Sequence, residues 1–197
     1  MFEGQDVMMH FLNQFNKIKN LRFDSFKKTL EIFKERELKT IVETGTARGK
    51  IKFFFFKKHN WKDGMSTTMF GAYVYNNSGH LYTCDISKKN IENSRSFTKK
   101  YSQYISYVID DSINFLSNFD KKIDLLYLDS LDGHDPVSAS NHQLHEIKAA
   151  TKNMHKDTLI LLDDKGTKTN LSLNYLIDHS YEILLETKYQ ILLSKEK

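Results

Sequence analysis

Five short apolar runs that alternate with helical segments constrain the fold of this chain more than any other feature. The runs occupy residues 40–43, 81–85, 105–109, 123–129 and 159–164. They are continuous rather than alternating in polarity, which is typical of parallel strands covered on both faces. Segments with helical character lie between them, at residues 66–76, 88–100, 112–119 and 140–154. This alternation predicts an α/β fold with a doubly wound, mostly parallel sheet.

An acidic residue stands at or directly after the end of each predicted strand. In an open parallel sheet, ligands bind beyond the carboxyl ends of the strands. We therefore expect these acidic side chains to lie on one rim of the sheet. They are Glu43, Asp85, Asp111, Asp129, Asp163 and Asp164.

The carboxyl end of the chain departs from this pattern. Two further strand-like runs, residues 181–186 and 189–193, are separated only by Thr187 and Lys188. A two-residue connection permits only an antiparallel hairpin. We expect this hairpin to close the sheet.

The amino end carries apolar residues at three- and four-residue spacing in segments 7–19 and 23–37, which predicts two amphipathic helices. Substrate selection and formation of a homodimer are both open roles for these helices. The chain shows no linker and no internal repeat. We expect a single domain, with the N-terminal helices in residues 1–37 and the sheet in residues 38–197.

Composition limits the partners and the compartment. The 197 residues carry a net charge of +4, and the basic pairs are scattered and interrupted by acids, which does not predict a nucleic-acid surface. The single cysteine, Cys84, excludes an intramolecular disulfide and lies in a strand-like run, where it is expected to be buried. No secretory signal or membrane-length apolar run is present. We expect a cytoplasmic protein without a nucleic-acid or membrane partner.

A glycine-bearing turn directly follows the first strand. Residues 43–49 read Glu-Thr-Gly-Thr-Ala-Arg-Gly. The two glycines, Gly45 and Gly49, allow the backbone to double back and approach a ligand closely. An NAD fingerprint would read GxGxxG, whereas this turn reads GxxxG with Ala47 near its middle. The spacing therefore disfavours an NAD-dependent oxidoreductase, which remains an alternative.

Two more acidic positions extend the pattern. Asp85 ends the second strand, where a carboxylate can accept hydrogen bonds from both ribose hydroxyls. Asp111 and Ser112 follow the third strand, where they could meet an adenine edge. The order of these motifs, with the closing hairpin, resembles class I S-adenosylmethionine-dependent methyltransferases. The resemblance covers roughly residues 38–195.

This resemblance implies a Rossmann-like seven-stranded sheet whose last strand is antiparallel, and S-adenosylmethionine as the cofactor. The turn glycines would flank the methionine moiety, and Glu43 would orient the turn or meet the amino group. Asp85 would bind the ribose, and Asp111 with Ser112 the adenine. The implied cofactor-binding residues are Glu43, Gly45, Thr46, Ala47, Gly49, Asp85, Ile86, Asp111, Ser112 and Asp129.

The second half of the chain is most similar to the catechol and caffeoyl-CoA O-methyltransferases and to the cephalosporin hydroxylase group. Those families hold a divalent metal between the acids that end the fourth and fifth strands. The matching positions here are Asp129, Asp163 and Asp164. Three carboxylates suit Mg²⁺ or Ca²⁺. The resemblance implies methylation of a small-molecule hydroxyl, which such a metal would help to deprotonate.

The sequence departs from these families in three ways. Their lysine base corresponds to Asp132, so His134 or Lys165 would replace it beside Asp129 in the catalytic set. Asp164 stands where the catechol type has Asn. Residues 50–64 form an insertion rich in aromatic side chains, interpreted as part of the core and a cover over the pocket rather than an exposed protein-binding patch.

The missing lysine leaves a non-catalytic or hydroxylase-like relative as an alternative function. Methyltransferases acting on DNA amino groups or on arginine are disfavoured. The DNA enzymes resemble one another in a Pro-Pro-aromatic motif after the fourth strand, which cannot exist here because Pro136 is the only proline. Arginine methyltransferases carry a pair of glutamates in that loop, and residues 129–136 contain no glutamate. His142 and His145 are interpreted as surface residues of the helix after the fourth strand.

Overall fold

The computed structural model describes residues 8, 10–17, 19–53 and 56–195, without the side chains of residues 50–59 and 63. The main sheet has seven strands. They are β1 (Thr40–Thr44), β4 (His80–Asp85), β5 (Ile105–Ile109), β6 (Ile123–Leu128), β7 (Met154–Leu162), β8 (Tyr181–Glu186) and β9 (Ile191–Lys195). A separate antiparallel pair consists of β2 (Lys50–Phe53) and β3 (Phe56–His59).

The strand order in the main sheet is β5-β4-β1-β6-β7-β9-β8. The first five strands in this order are parallel, and β9 is antiparallel to both of its neighbours. The chain runs outward from β1 to β4 and β5, and then crosses back to β6 on the other side of β1. This arrangement confirms the Rossmann-like fold with a C-terminal antiparallel hairpin. It also leaves a crevice at the carboxyl end of β1, where ligands bind in such sheets.

Successive residues of a strand point to opposite sides of the sheet, so the continuous apolar strands present apolar side chains on both faces. Helices cover both of these faces. Ile41 belongs to the core beneath the first two helices, whereas Val42 belongs to the core on the other face. Phe26 and Phe70 are fully buried on the first face. The helices are α1 (Phe23–Glu35), α2 (Ser66–Asn77), α3 (Lys88–Phe97), α4 (Ser112–Asn118), α5 (Pro136–Ala150) and α6 (Thr169–Asp178).

Two helices differ from the sequence prediction. α5 begins at Pro136 rather than at residue 140, because Asp135 accepts hydrogen bonds from the first free N–H groups and proline suits the first helical position. α6 was not predicted at all. Two of its buried positions are Thr169 and Ser172, so its core-facing side lacks the apolar period that identifies a helix.

The C-terminal hairpin is present, but its connection is longer than predicted. Residues 187–190 link β8 to β9, and the N–H of Thr187 donates to the carbonyl of Gln190 over 2.9 Å. Gln190 is buried and donates to the Tyr127 hydroxyl instead of pairing as a strand residue. The sequence could not show this contact, because Tyr127 lies on a distant strand.

The amino-terminal prediction is partly testable. α1 confirms the second predicted helix, and residues 10–13 are helical, while parts of segment 7–19 lie outside the described residues.

In the insertion, β2 and β3 form a hairpin, and Trp61 packs against the core within 6.4 Å of the Phe15 ring centroid. No helix in the described part of the chain has the length and apolar character needed to cross a bilayer.

We expect Phe26→Ala to destabilise the fold by about 3–5 kcal/mol. The Phe26 ring is fully buried and contacts the rings of Phe70 and Tyr127 edge-on, with centroids 5.4 Å and 5.5 Å away. Urea unfolding measures the loss. Ile177→Ala, at a position 47% exposed on α6, is the control and should change stability by no more than about 0.5 kcal/mol. Equal losses for both variants would contradict the assignment of Phe26 to the core.

Candidate functional site

A cavity of about 640 Å³ opens at the carboxyl ends of β1, β4, β5 and β6. Its walls include the glycine turn at residues 45–48, the end of β4, the start of α4 and the loop at residues 129–135. The cavity therefore occupies the crevice that the strand order creates beside β1. Nine of the residues predicted from the sequence line it: Gly45, Thr46, Ala47, Asp85, Ile86, Asp111, Ser112, Asp129 and His134.

The remaining predicted site residues are not among those that line the cavity. Glu43 accepts the Thr67 hydroxyl, and Gly49 ends the turn against the Phe97 side chain. Asp163 and Asp164 lie close to Asp129. Lys165 points elsewhere, because its ammonium pairs with Glu186. The structure therefore does not support the prediction that Lys165 is a base at the cavity.

Gly45 is required by the packing of the turn. Its φ of 82° falls in the left-handed region, and its N–H donates to the Cys84 carbonyl over 2.9 Å. A Cβ at this position would lie 2.0 Å from the carbonyl oxygen of Asp129. Only glycine therefore allows the turn to lie directly against the end of β6.

Glu43 holds the turn from below. Its buried carboxylate accepts hydrogen bonds from the hydroxyls of Ser66, Thr67 and Thr83, over 2.5, 2.7 and 2.6 Å. The Thr67 hydroxyl oxygen in turn accepts the N–H of Ala47 over 2.8 Å. Burial raises the pKa of Glu43 to about 7, although the three hydroxyls act in the opposite direction. Of the two roles predicted for Glu43, these contacts favour orientation of the turn.

Asp85 stands at the end of β4 with its carboxylate on the cavity wall. It accepts the N–H of Ser87 over 2.7 Å and the side-chain amide of Asn90 over 3.1 Å and 3.2 Å. These contacts fix the orientation of the carboxylate. Ile86 follows with 76% of its surface exposed at the cavity, which is unusual for an isoleucine and leaves an apolar face for a ligand.

At the next strand end, Asp111 is the N-cap of α4 and accepts the N–H groups of Ile113 and Asn114, each over 3.0 Å. Ser112 lies 2.9 Å from Nε2 of His142, which also lines the cavity. The interpretation of His142 as a surface residue is therefore wrong.

His142 is held in place by a neighbour on its own helix. Glu146, four residues later in α5, is buried and lies 3.7 Å from the imidazole. The proximity of the Glu146 carboxylate raises the pKa of His142, although burial acts in the opposite direction. The four-residue spacing was visible in the sequence, but the direction of α5 toward the cavity was not.

At the end of β6, Asp129 is paired with a lysine that the sequence did not indicate. Lys168, almost fully buried, donates from Nζ to Asp129 Oδ1 over 2.9 Å, and the same Nζ lies 2.9 Å from Asp164 Oδ2. Burial alone lowers the pKa of Lys168, but the charges of Asp129 and Asp164 outweigh it and raise that pKa. The four-residue spacing of Asp164 and Lys168 was the one available signal.

A second cation, Arg22, reaches the same cluster from the segment that precedes α1. Its Nε lies 2.8 Å and 2.7 Å from the two oxygens of Asp163, and its Nη2 lies 3.0 Å from Asp164 Oδ1. The Tyr127 hydroxyl donates to Asp163 Oδ2 over 2.7 Å. No sequence pattern indicated Arg22, because 141 residues separate it from Asp163.

The three predicted metal ligands are brought together, with one oxygen of each within 4.8 Å of the others. However, five of their six carboxylate oxygens already lie within 3.0 Å of Arg22 or Lys168. The sixth, Asp129 Oδ2, lies 3.4 Å from the Tyr127 hydroxyl. A divalent ion held by all three carboxylates would have to displace both cations, so the residues as arranged do not fit a metal.

The loop after β6 carries the other polar groups of the cavity. His134 is exposed on its wall. Asp132, at the position of the family lysine, forms a two-pronged ion pair with Arg48 of the glycine turn, with both distances 3.0 Å. The hydrogen bond from Arg48 lowers the pKa of Asp132. This pair ties the turn to the loop across the cavity.

We expect Glu43 to make stability depend on pH. Its folded-state pKa of about 7 lies above the ordinary 4.5. The folded protein therefore holds this proton more tightly, and the free energy of unfolding should fall by about 3 kcal/mol as pH rises between these values. Glu43→Gln should lose this component. Urea unfolding at pH about 5 and about 8 checks the difference, and identical pH slopes for both proteins would contradict it.

Comparison with known proteins shows the same architecture. The chain superposes on a Podospora anserina methyltransferase bound to SAH with a TM-score of 0.61 and 12% identity, covering 98% of this chain and 88% of that one. A Clostridium thermocellum putative rRNA-methylase superposes with a TM-score of 0.60 and 14% identity, covering 87% of this chain and 97% of that one. A Streptococcus mutans putative methyltransferase in complex with SAH superposes with a TM-score of 0.60 and 8% identity, covering 87% of this chain and 97% of that one.

At these identities, the structural matches establish the fold alone. No curated protein matches the sequence. A family model described as "Methyltransferase domain" matches residues 61–165, just over half of the chain. That span runs from Trp61 to Lys165 and includes Asp85, Asp111 and Asp129. The chain therefore belongs to the methyltransferase domain family.

Proposed function

We propose that this methyltransferase domain binds S-adenosylmethionine in the cavity and transfers its methyl group to a hydroxyl of a small molecule. The observation that carries the proposal is the placement of Asp85, the glycine turn and Asp129 around one cavity at the switch point of the sheet. A nucleoside, a methionine moiety and a reacting group can thus be bound side by side.

The cofactor's adenosine is assigned to the side of the cavity formed by β4 and β5. Asp85, oriented by Ser87 and Asn90, accepts the two ribose hydroxyls. Ile86 offers its exposed apolar face to the adenine ring, and Ser112 with His142 forms the polar end of that pocket. Asp111 contributes to this pocket mainly by capping α4, since one of its carboxylate oxygens already accepts the first N–H groups of that helix.

The methionine moiety is assigned to the glycine turn. The absence of a Cβ at Gly45 and the support of Glu43 through Thr67 keep this backbone close to the ligand and fixed in one conformation. The Asp85 carboxylate at the end of β4 gives this rim negative charge, which favours a positively charged sulfonium. The chain's role in the transfer is thus to align the methyl group with the acceptor oxygen.

The acceptor is assigned to the side of the cavity beneath the loop after β6. There His134 is the exposed group that can take the hydroxyl proton, and Asp129 Oδ2 can accept a hydrogen bond from the acceptor. A metal is not part of this proposal, because the carboxylates predicted to bind it form ion pairs with Arg22 and Lys168. A small-molecule acceptor, a cytoplasmic location and a homodimer stay predictions.

Asp85→Ala should weaken S-adenosylmethionine binding about 100-fold, because two hydrogen bonds to a charged acceptor are lost. Isothermal titration measures the affinity. Asp110→Ala is the matched control, since Asp110 also accepts local hydrogen bonds at a strand end but is not among the residues that line the cavity. Tighter binding of NAD than of S-adenosylmethionine by the unmodified protein would overturn the cofactor assignment.

His134→Ala should lower the rate of methyl transfer about 100-fold while cofactor affinity is unchanged. The assay incubates the protein with S-adenosylmethionine and a panel of catechols and other small alcohols, and detects methylated products by mass spectrometry. His145→Ala, at an exposed position of the same region, is the control. Cofactor binding without any methylated product would favour the non-catalytic alternative, and equal rates for both variants would remove His134 from the mechanism.

A further inference from the structure

The acidic cluster of Asp129, Asp163 and Asp164 is balanced by two cations from elsewhere in the fold. Three carboxylates converge within 4.8 Å, and like charges at such distances repel strongly unless a cation lies between them. Lys168 Nζ lies 2.9 Å from both Asp129 Oδ1 and Asp164 Oδ2. Arg22 occupies the opposite side, on Asp163 and Asp164. The ammonium thus bridges two carboxylates in the way that a bound metal ion would.

The position of Lys168 indicates that this bridge is a fixed part of the structure. Only 3% of the side chain is exposed, and the residue is the N-cap of α6 without a capping hydrogen bond. A buried positive charge is costly, and the positive end of the helix dipole adds to that cost. The two carboxylates are the groups in the described structure that offset it. Lys168 and the cluster therefore stabilise each other.

We propose that Lys168, assisted by Arg22, takes the place of a divalent cation at this rim, so that the protein needs no metal there. Mg²⁺ requires about six oxygen ligands in octahedral geometry at about 2.0–2.1 Å. In this cluster, five of the six carboxylate oxygens that could provide such ligands are already paired with the guanidinium or the ammonium. Lys168 is accordingly a positioning residue, which holds Asp129 at the edge of the cavity. This inference concerns ion occupancy and holds whether or not the proposed methyl transfer occurs.

The inference predicts that removal of the ammonium uncovers a cation site. Full-length protein, first treated with a chelator and dialysed, is titrated with Mn²⁺ while electron paramagnetic resonance measures the free ion. Carboxylates are suitable ligands for Mn²⁺. We expect the unmodified protein to show no saturable site below about 1 mM, and Lys168→Met to bind one Mn²⁺ at least about tenfold more tightly. Lys165→Met, a nearby exposed lysine outside the cluster, should behave as the unmodified protein does.

Two results would overturn the inference. One is a Mn²⁺ site in the unmodified protein that disappears in Asp164→Asn. The other is a folded Lys168→Met variant, verified by circular dichroism, with no gain in Mn²⁺ binding. If Lys168→Met does not fold, the comparison of the unmodified protein with Asp164→Asn decides. Absence of a saturable site in both then supports the inference, and a site lost in Asp164→Asn overturns it.

Discussion

The carboxyl ends of β1, β4, β6 and β7 are joined by backbone hydrogen bonds that continue past the strands, and the site depends on these bonds. The N–H of Gly45 donates to the Cys84 carbonyl, that of Asp129 to Thr44, and that of Asp163 to Leu128. Asp129 and Asp163 thus leave their strands while still paired to the neighbouring strand, so their side chains are held against the rim. The cavity and the charge cluster both follow from this one ladder.

The buried acids on this rim are stabilised in two different ways. Among the described residues, Glu43 accepts hydrogen bonds from three hydroxyls and from no cation; burial raises its pKa to about 7, so its charge depends on pH. Asp163, equally buried, is paired with the Arg22 guanidinium. Neutral donors suit a carboxyl group that supports a backbone turn, whereas paired charges suit a cluster whose geometry must remain fixed.

Much of the fold could be predicted from local patterns. Continuous apolar runs identified the parallel strands, and the GxxxG turn and Asp85 stood where the structure places the cavity. Cys84 was expected to be buried, and this is confirmed. α6 was not predicted because Thr169 and Ser172 are core-facing, and no hydrophobic period marks such a helix.

The sequence by itself determined which segments form the parallel strands and which acidic residue stands at each strand end, because a continuous apolar run and the residue that follows it are local properties. It also indicated the methyltransferase family through the glycine turn, Asp85, Asp111 and the closing hairpin. Only the tertiary structure decided that Lys168 and Arg22 cover the acids and that His142 faces the cavity. Ion pairs between distant segments depend on how helices pack across the sheet, and no local pattern in one sequence records that packing.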